Sequence, residues 1–317
     1  MKKNILYLMF IFLLTMVISE LFFMFRTPST FTEKWSYAEE EVGTTKFDGQ
    51  MLGGKLNSMG LRDKEYPFYH TSYRILALGD SFTYGFQLKN SNSWPKKAEA
   101  FLHADNYIDL EILNGGVPGR DTKVEYYYFE KYSYKYKPDM VIIAFLINDA
   151  TSLDSNGGAV KLKYKFDELV KQQECNRKFG LYAFNYIRLS YLKRKLIEAT
   201  VKEYNDPYEH NSMEFQQCKE AFFKFREISK KNDFRLIVVI YPMLYQLNKK
   251  YPFMKIHEKM KIFFKQSGIE AYDLTREFYG IRDTDLWISD GDSHPNIRAN
   301  EIAARKIAEI IKGYLKK

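Results

Sequence analysis

Ser81 stands in "LALGDSFTYG", between an aspartate and a phenylalanine, directly after an apolar run and shortly before Gly85. A serine hydroxyl becomes a nucleophile only when a base takes its proton, a third group orients that base, and donors receive the negative charge of the attacked carbonyl. Taken alone the stretch shows only a strand-to-helix turn, because Ser, Asp and Gly are what such turns favour. The base must come from His70, His103, His210, His257 or His294. His103 and His257 fall on Lys-rich amphipathic stretches and are expected at the surface, and His70 and His210 have no polar constellation nearby. His294 differs: it lies in "WISDGDSHPN" with Asp290 and Asp292 beside it, and Pro295 can start the helix that follows.

These residues need a scaffold that brings them together. Apolar runs of strand length occur at "RILALG" (74–79), "LEILNG" (110–115), "MVIIAFLI" (140–147), "RLIVVIYP" (235–242) and "EAYDL" (270–274). Amphipathic stretches lie between and after them: "WPKKAEAFLHA", "TKVEYYYFEKYSYKY", "MEFQQCKEAFFKFREISKKN" and "PNIRANEIAARKIAEIIKGYLKK". Continuous apolar strands alternating with helices predict a parallel sheet covered on both faces, with ligands beyond the carboxyl ends of its strands. Asp80-Ser81, "NGGVPGRDT" and Asn148-Asp149 end the first three strands and therefore converge on that edge. Asp80, Asp149, Asn114 and Asp121 read as caps and loop braces. Tyr84 and Trp287 read either as pocket walls or as core aromatics. Residues 150–212 exceed what one crossover needs and suggest an inserted helical hairpin, either a roof over the cleft or a decoration.

Composition bounds the function. With 317 residues, 45% hydrophobic and 28% charged, the chain should fold. Its net charge of +8 is spread over solvated helix faces, without a motif for nucleic acid. The N-terminus, "MKKNILYLMFIFLLTMVISELFFMFR", places Lys2 and Lys3 before a run from Ile5 to Phe25 that is apolar but for the interruption at Glu20. As a helix rising about 1.5 Å per residue, that run spans roughly the 30 Å hydrocarbon core of a bilayer. The positive-inside rule would put everything after Arg26 outside the cytoplasm. Residues 1–26 are thus expected to be a transmembrane anchor, the competing reading being a cleaved signal segment ending near Val17-Ile18-Ser19. Residues 27–70 read as a stalk or an arm lying on the domain, and 71–317 as the domain itself. Cys175 and Cys218 either pair or remain two buried thiols. No spacing suited to a metal appears, and no Gly-x-Gly-x-x-Gly loop follows the first strand, so neither metal nor cofactor is expected.

Four blocks, "GDSFTYG", "NGGVPG", "LIND" and "DGDSHPN", occur in the order and approximate spacing of the GDSL or SGNH hydrolases, which the chain resembles from about Tyr73 to Lys317. The anchor followed by "NSMGLRDKEYP" is similar to membrane-tethered bacterial members. The resemblance implies a three-layer α/β/α, flavodoxin-like fold with about five parallel strands. It also implies a nucleophile at Ser81, a general base at His294, and an oxyanion hole from the N–H groups of Ser81 and Gly119 with the amide of Asn148. Two positions depart from the family pattern. Leu146 stands where a glycine is usual, and Gly291 stands three residues before the histidine, where the triad aspartate is usual. Asp292 and Asp290 are the candidates to replace it. In an extended segment residues two apart point the same way, which favours Asp292, and a Ser-His dyad is the third possibility.

The expected activity is an extracytoplasmic serine esterase acting on an O-acyl ester of a glycan or small molecule. Two alternatives remain open at this stage, an O-acyltransferase of polysaccharide modification and a catalytically silent glycan-binding or scaffold domain.

Overall fold

The computed structural model describes residues 56–150, 182–247, 250–289 and 292–315, together with residues 11, 14–18 and 22 of the N-terminal segment. Five strands, β1 (Tyr73–Gly79), β2 (Leu110–Asn114), β3 (Met140–Phe145), β4 (Arg235–Ile240) and β5 (Glu270–Asp273), form one parallel sheet in the order β2-β1-β3-β4-β5. This is the doubly wound order in which the winding direction reverses between β1 and β3, and ligands bind at that reversal. Every residue of β3 is buried and only the first residue of β1 is not, as expected of central strands covered on both faces.

The site is entered through α1 (Ser81–Tyr84), and the next helix, α2 (Trp94–Ala104), leads into β2. After β2 comes α3 (Thr122–Lys131). The long α4 (Tyr182–Glu209) and α5 (Met213–Asn232) precede β4, and α6 (Met254–Gln266) precedes β5. A short antiparallel ribbon, β6 (Trp287–Ser289) with β7 (Asp292–Pro295), delivers the chain to α7 (Ile297–Leu315). Helices α2 and α7 pack together on one face of the sheet. On the other face α3 meets α5 and α5 meets α6, through ring contacts such as Phe129 with Phe225 at 5.4 Å and Phe222 with Phe264 at 4.8 Å.

All five expected strands are present, within a residue or two of their expected ends; β1 and β3 are continuous apolar runs with few alternatives to burial, whereas the edge strand β5 has no buried residue and is held by its pairing with β4. Three expectations need correction. His257 is not at the surface: it is fully buried on α6, with Nδ1 3.2 Å from Asp273 Oδ1 and 3.0 Å from Thr275 Oγ1. The lysines around it face water while the ring points inward, which amphipathic spacing permits. Pro295 does not start the last helix but ends β7; the cap is Asn296, whose Oδ1 accepts the Ala299 N–H at 3.1 Å. "TKVEYYYFEKYSYKY" is not one helix, since α3 stops at Lys131 and a 3-10 turn covers Ser133–Tyr136.

Part of the expected arm is now visible. Asn57, Leu61, Arg62 and Tyr66 are buried in the domain, and Asp63 Oδ2 accepts the Asn114 N–H at 3.0 Å. Among the described residues no helix is long and apolar enough to cross a membrane, and most of the expected 1–26 anchor lies outside them. Most of the arm before residue 56, residues 151–181 of the expected insertion, and Cys175 also lie outside them. Cys218 is a buried free thiol whose Sγ lies 3.6 Å from Thr122 Oγ1.

Candidate active site

The nucleophile turn is built by close backbone approach. Gly79 takes φ +154°, and a Cβ there would stand 2.1 Å from Thr83 Oγ1. Gly116, in the loop after β2, would place a Cβ 2.3 Å from Tyr84 N and 2.6 Å from Thr83 C. Only glycine lets that loop lie directly on α1. Asp80 caps α1, its Oδ1 accepting the Phe82 N–H at 2.9 Å, and Ser81 becomes the first helical residue. Its own N–H is among the first-turn donors for which a helix has no internal acceptor.

Topology brings the last block to the same edge. His294 Nε2 lies 3.0 Å from Ser81 Oγ, and His294 Nδ1 lies 2.5 Å from Asp292 Oδ1, which also accepts the His294 N–H at 3.0 Å. Asp292 Oδ2 accepts from Gln87 Nε2 at 2.7 Å. The imidazole packs against Phe86 at 4.5 Å and Phe82 at 5.9 Å between ring centres. An imidazole hydrogen-bonded to a hydroxyl on one side and a carboxylate on the other can take the hydroxyl proton while the carboxylate holds its tautomer and steadies the cation. Asp290 and Gly291 lie outside the described residues.

Asn148 sits in a 3-10 turn after β3, and its Nδ2 donates to Asp80 Oδ2 at 2.9 Å. That bond sets which way round the amide sits and brings its nitrogen beside the residue preceding Ser81. Leu146, in place of the family's usual glycine, is buried, and its N–H donates to Asp149 Oδ2 at 3.3 Å, so the turn forms without a glycine there. Gly119 lies on the exposed rim with φ +75° and open space where a side chain would project.

The expected braces are present. Asn114 Nδ2 donates to Asn90 Oδ1 at 3.0 Å and to Ser93 Oγ at 3.2 Å, while Asn114 Oδ1 accepts the Gly116 N–H at 3.1 Å. Asp121 caps α3 through the Val124 N–H at 2.8 Å. Tyr84 is a core residue, fully buried under the Arg62 guanidinium at 4.4 Å. Trp287 is half-buried and stacks nearly parallel on Tyr245 at 6.3 Å, its Nε1 donating to Leu244 O at 2.5 Å.

Sequence reasoning passed over several residues that shape the site. Arg62 is buried and its guanidinium donates to the carbonyls of Tyr84 (2.7 Å), Gly85 (2.8 Å) and Leu88, clamping the loop after α1. Behind the nucleophile, burial raises the carboxyl of Asp80, opposed by the bonds from Asn148 and Phe82. Burial also pushes Asp149 and Glu125 well above the usual carboxylate range, with the neighbouring carboxyls adding to the effect. Away from the site, Asp206, Glu209 and His210, two of them exposed, bring ligand atoms within 4.8 Å of one another, although no metal-binding spacing is expected from the sequence.

A doubly wound parallel sheet with serine, histidine and carboxylate joined at its carboxyl edge is the framework of a serine hydrolase acting on ester bonds. The chain belongs to the GDSL-like lipase/acylhydrolase family, whose family model matches residues 75–307. Among solved structures it is similar to a protein of the G-D-S-L family from Desulfitobacterium hafniense DCB-2, at 14% identity and TM-score 0.45, covering 75% of this chain and 99% of that one. It is also similar to a mutant of Axe2, an acetyl-xylooligosaccharide esterase from Geobacillus Stearmophilus (14%, TM-score 0.46, 77% and 95%). A third is the psychrotrophic esterase EstA from Pseudoalteromonas sp., inhibited by monoethylphosphonate (14%, TM-score 0.45, 78% and 100%). No curated protein matches the chain.

Proposed function

We propose that this protein is an extracytoplasmic serine esterase, tethered to the cytoplasmic membrane by its N-terminal segment, which removes an O-acyl group from a glycan or small molecule through an acyl-serine intermediate. The observation that carries this reading is the continuous hydrogen-bonded line from Ser81 Oγ through the His294 ring to Asp292, at 3.0 Å and 2.5 Å. Ser81 Oγ attacks the ester carbonyl carbon as His294 Nε2 takes its proton. The charge on the carbonyl oxygen is received by the N–H groups of Ser81 and Gly119 and by Asn148 Nδ2, and losing one such donor typically costs about 3–4 kcal/mol of transition-state stabilisation. Collapse breaks the bond to the alcohol, which leaves with the proton from His294. A water molecule that surrenders a proton to His294 then attacks the acyl carbon, and the departing Ser81 Oγ recovers that proton.

Lys2 and Lys3 before the apolar run Ile5–Phe25 support a cytoplasmic start and an external domain. The exposure of Gly119, with no atom of the described residues within 4 Å of where a side chain would project, supports a bulky acyl carrier, since a group borne on a polymer can reach the serine without the polymer being enclosed.

The test uses the full chain in detergent, with fluorophosphonate labelling and hydrolysis of p-nitrophenyl acetate. Ser81→Ala and His294→Ala should lose both, and Asp292→Asn should lower kcat by about four orders of magnitude, the scale seen when a triad carboxylate is neutralised. Asp290→Asn should stay near the parent. Ser81→Ala protein hydrolysing as fast as the parent overturns the reading, and a labelled acetyl group passing to a glycan hydroxyl in preference to water would replace hydrolysis with transfer.

A further inference from the structure

The aspartate two residues before His294 is held from outside its own ribbon. One carboxylate oxygen of Asp292 is taken by the His294 ring and backbone, and the other accepts Gln87 Nε2 at 2.7 Å, from the loop after the nucleophile. Gln87 reaches it from a left-handed backbone, φ +59°. That conformation is uncommon for a residue other than Gly, Asn or Asp, and persists only where the surroundings hold it. Here the holder is the buried Arg62, whose guanidinium donates to the carbonyls of Tyr84, Gly85 and Leu88, on both sides of Gln87. The preceding residue, Phe86, lays its ring on His294 at 4.5 Å. Two consecutive side chains of one clamped loop therefore fix the two members of the Asp-His pair, one by packing and one by a hydrogen bond.

We propose that Gln87 is a positioning residue for the reaction: its amide, presented from a left-handed turn clamped by Arg62, locks the Asp292 carboxylate so that a pair spaced Asp-x-His orients the imidazole toward Ser81. This rests on the esterase reading above. A carboxylate only two residues from the histidine sits on the same short ribbon, where the ring and N–H of His294 take one of its oxygens. An anchor on its second oxygen supplies the orientation, and with it the tautomer of His294.

The experiment compares Gln87→Gly, Gln87→Leu and Gln87→Glu with the parent in the full chain in detergent, on p-nitrophenyl acetate, with active sites counted by fluorophosphonate. Gln87→Gly keeps the left-handed turn open and loses the amide, so its Tm should equal or exceed the parent's while kcat per labelled site falls about 10–100-fold, as for loss of a group that orients a functional ligand, with KM within about twofold. Gln87→Leu should lose the same kcat. Gln87→Glu sets a second negative charge beside the pair and should move the acid limb of kcat/KM up by about one pH unit. A Gln87→Gly variant with parental kcat, or kcat loss in proportion to lost Tm with the acid limb of Gln87→Glu unmoved, overturns the inference. Ser81→Ala run alongside separates the two failures: if it retains hydrolysis the esterase reading fails, and if it is dead while Gln87→Gly is fully active only the role of Gln87 fails.

Discussion

Replacing Gly116 with alanine adds one methyl group to the contact that seats the nucleophile, and the geometry sets the size of the effect. The new Cβ would lie 2.3 Å from Tyr84 N, 2.6 Å from Thr83 C and 2.8 Å from Thr83 Cβ, all well inside ordinary van der Waals contact. Two of those atoms are backbone, and they cannot swing aside. Tyr84 N is bonded to Asp80 O at 3.0 Å, and the Gly116 loop is pinned by Val117 N to Gly79 O at 2.9 Å and by Asn114 Oδ1. Relief requires the loop and α1 to part by about 1 Å, and overpacking of this kind costs about 1–3 kcal/mol. The upper end applies, because backbone must move. At roughly 2–4 °C per kcal/mol in a domain of this size, Tm should fall by about 6–12 °C. A displacement of about 1 Å at the reacting atoms costs about 100-fold in rate. Both quantities follow from one preparation, Tm by calorimetry and kcat on p-nitrophenyl acetate at 20 °C, normalised to fluorophosphonate-labelled sites. Gly119→Ala is the contrast: among the described residues nothing lies within 4 Å of a Cβ there, so it should lose only the roughly 1–2 kcal/mol of a left-handed backbone at φ +75°, below the ~3 kcal/mol expected of Gly116→Ala. Parental Tm and kcat in Gly116→Ala would refute the claim that this contact seats Ser81.

Two carboxyls, one half-buried and one fully buried, should tilt the pH dependence of stability in opposite directions. Burial alone would raise Asp273, but the bonds from His257 and Thr275 outweigh it and bring the carboxyl down to about 2. A depressed carboxyl stabilises the fold above its unfolded value and loses that contribution as pH falls toward 2. The contribution, about 2 kcal/mol at neutral pH, should shrink in His257→Ala to the part that Thr275 supplies, measured by urea unfolding at pH 3 and pH 6. Glu125 is 3% exposed with neither oxygen bonded among the described residues, and burial, then the charges of Asp80 and Asp121, push it well above its usual range. A raised carboxyl favours the fold fully below its unfolded value and loses that advantage as pH rises through the folded one. Glu125→Gln should therefore lessen the decline in stability between pH 5 and pH 8, and an unchanged slope would show that Glu125 does not titrate there.

The strands and the residues at their carboxyl ends were legible because one physical cause writes both. A strand buried on both faces must be an unbroken apolar run, so the polar residues that end it announce where the sheet edge begins. Ser81, Asn148 and the "NGGVPG" loop were found this way. Contacts that join distant segments leave no such mark. Gln87 lies 205 residues from Asp292, and no local pattern distinguishes it from any polar loop residue. Arg62 reads as one more surface cation in "LRDKEYP" until the carbonyls it satisfies are seen. His257 was misplaced because helical periodicity gives the apolar face but does not say that a histidine on it can be satisfied by Asp273 at the end of a strand. The β6–β7 ribbon, three and four residues long and rich in polar side chains, carries too little alternation to be read as strand.

That ribbon explains how a pair spaced Asp-x-His can meet. In β7 the backbone is extended, so Asp292 and His294 emerge on the same side and the carboxylate meets Nδ1 directly. The closeness has a consequence for rigidity. Asp292 and His294 share one short strand that, among the described residues, pairs with β6, and their joint orientation relative to Ser81 draws on contacts from elsewhere in the domain. Phe86 and Gln87 supply them, and Arg62 holds the loop from which both project. The Asp-x-His spacing and the buried arginine 230 positions earlier in the chain are thus joined through the loop after Ser81, which Arg62 holds and from which Phe86 and Gln87 reach the pair.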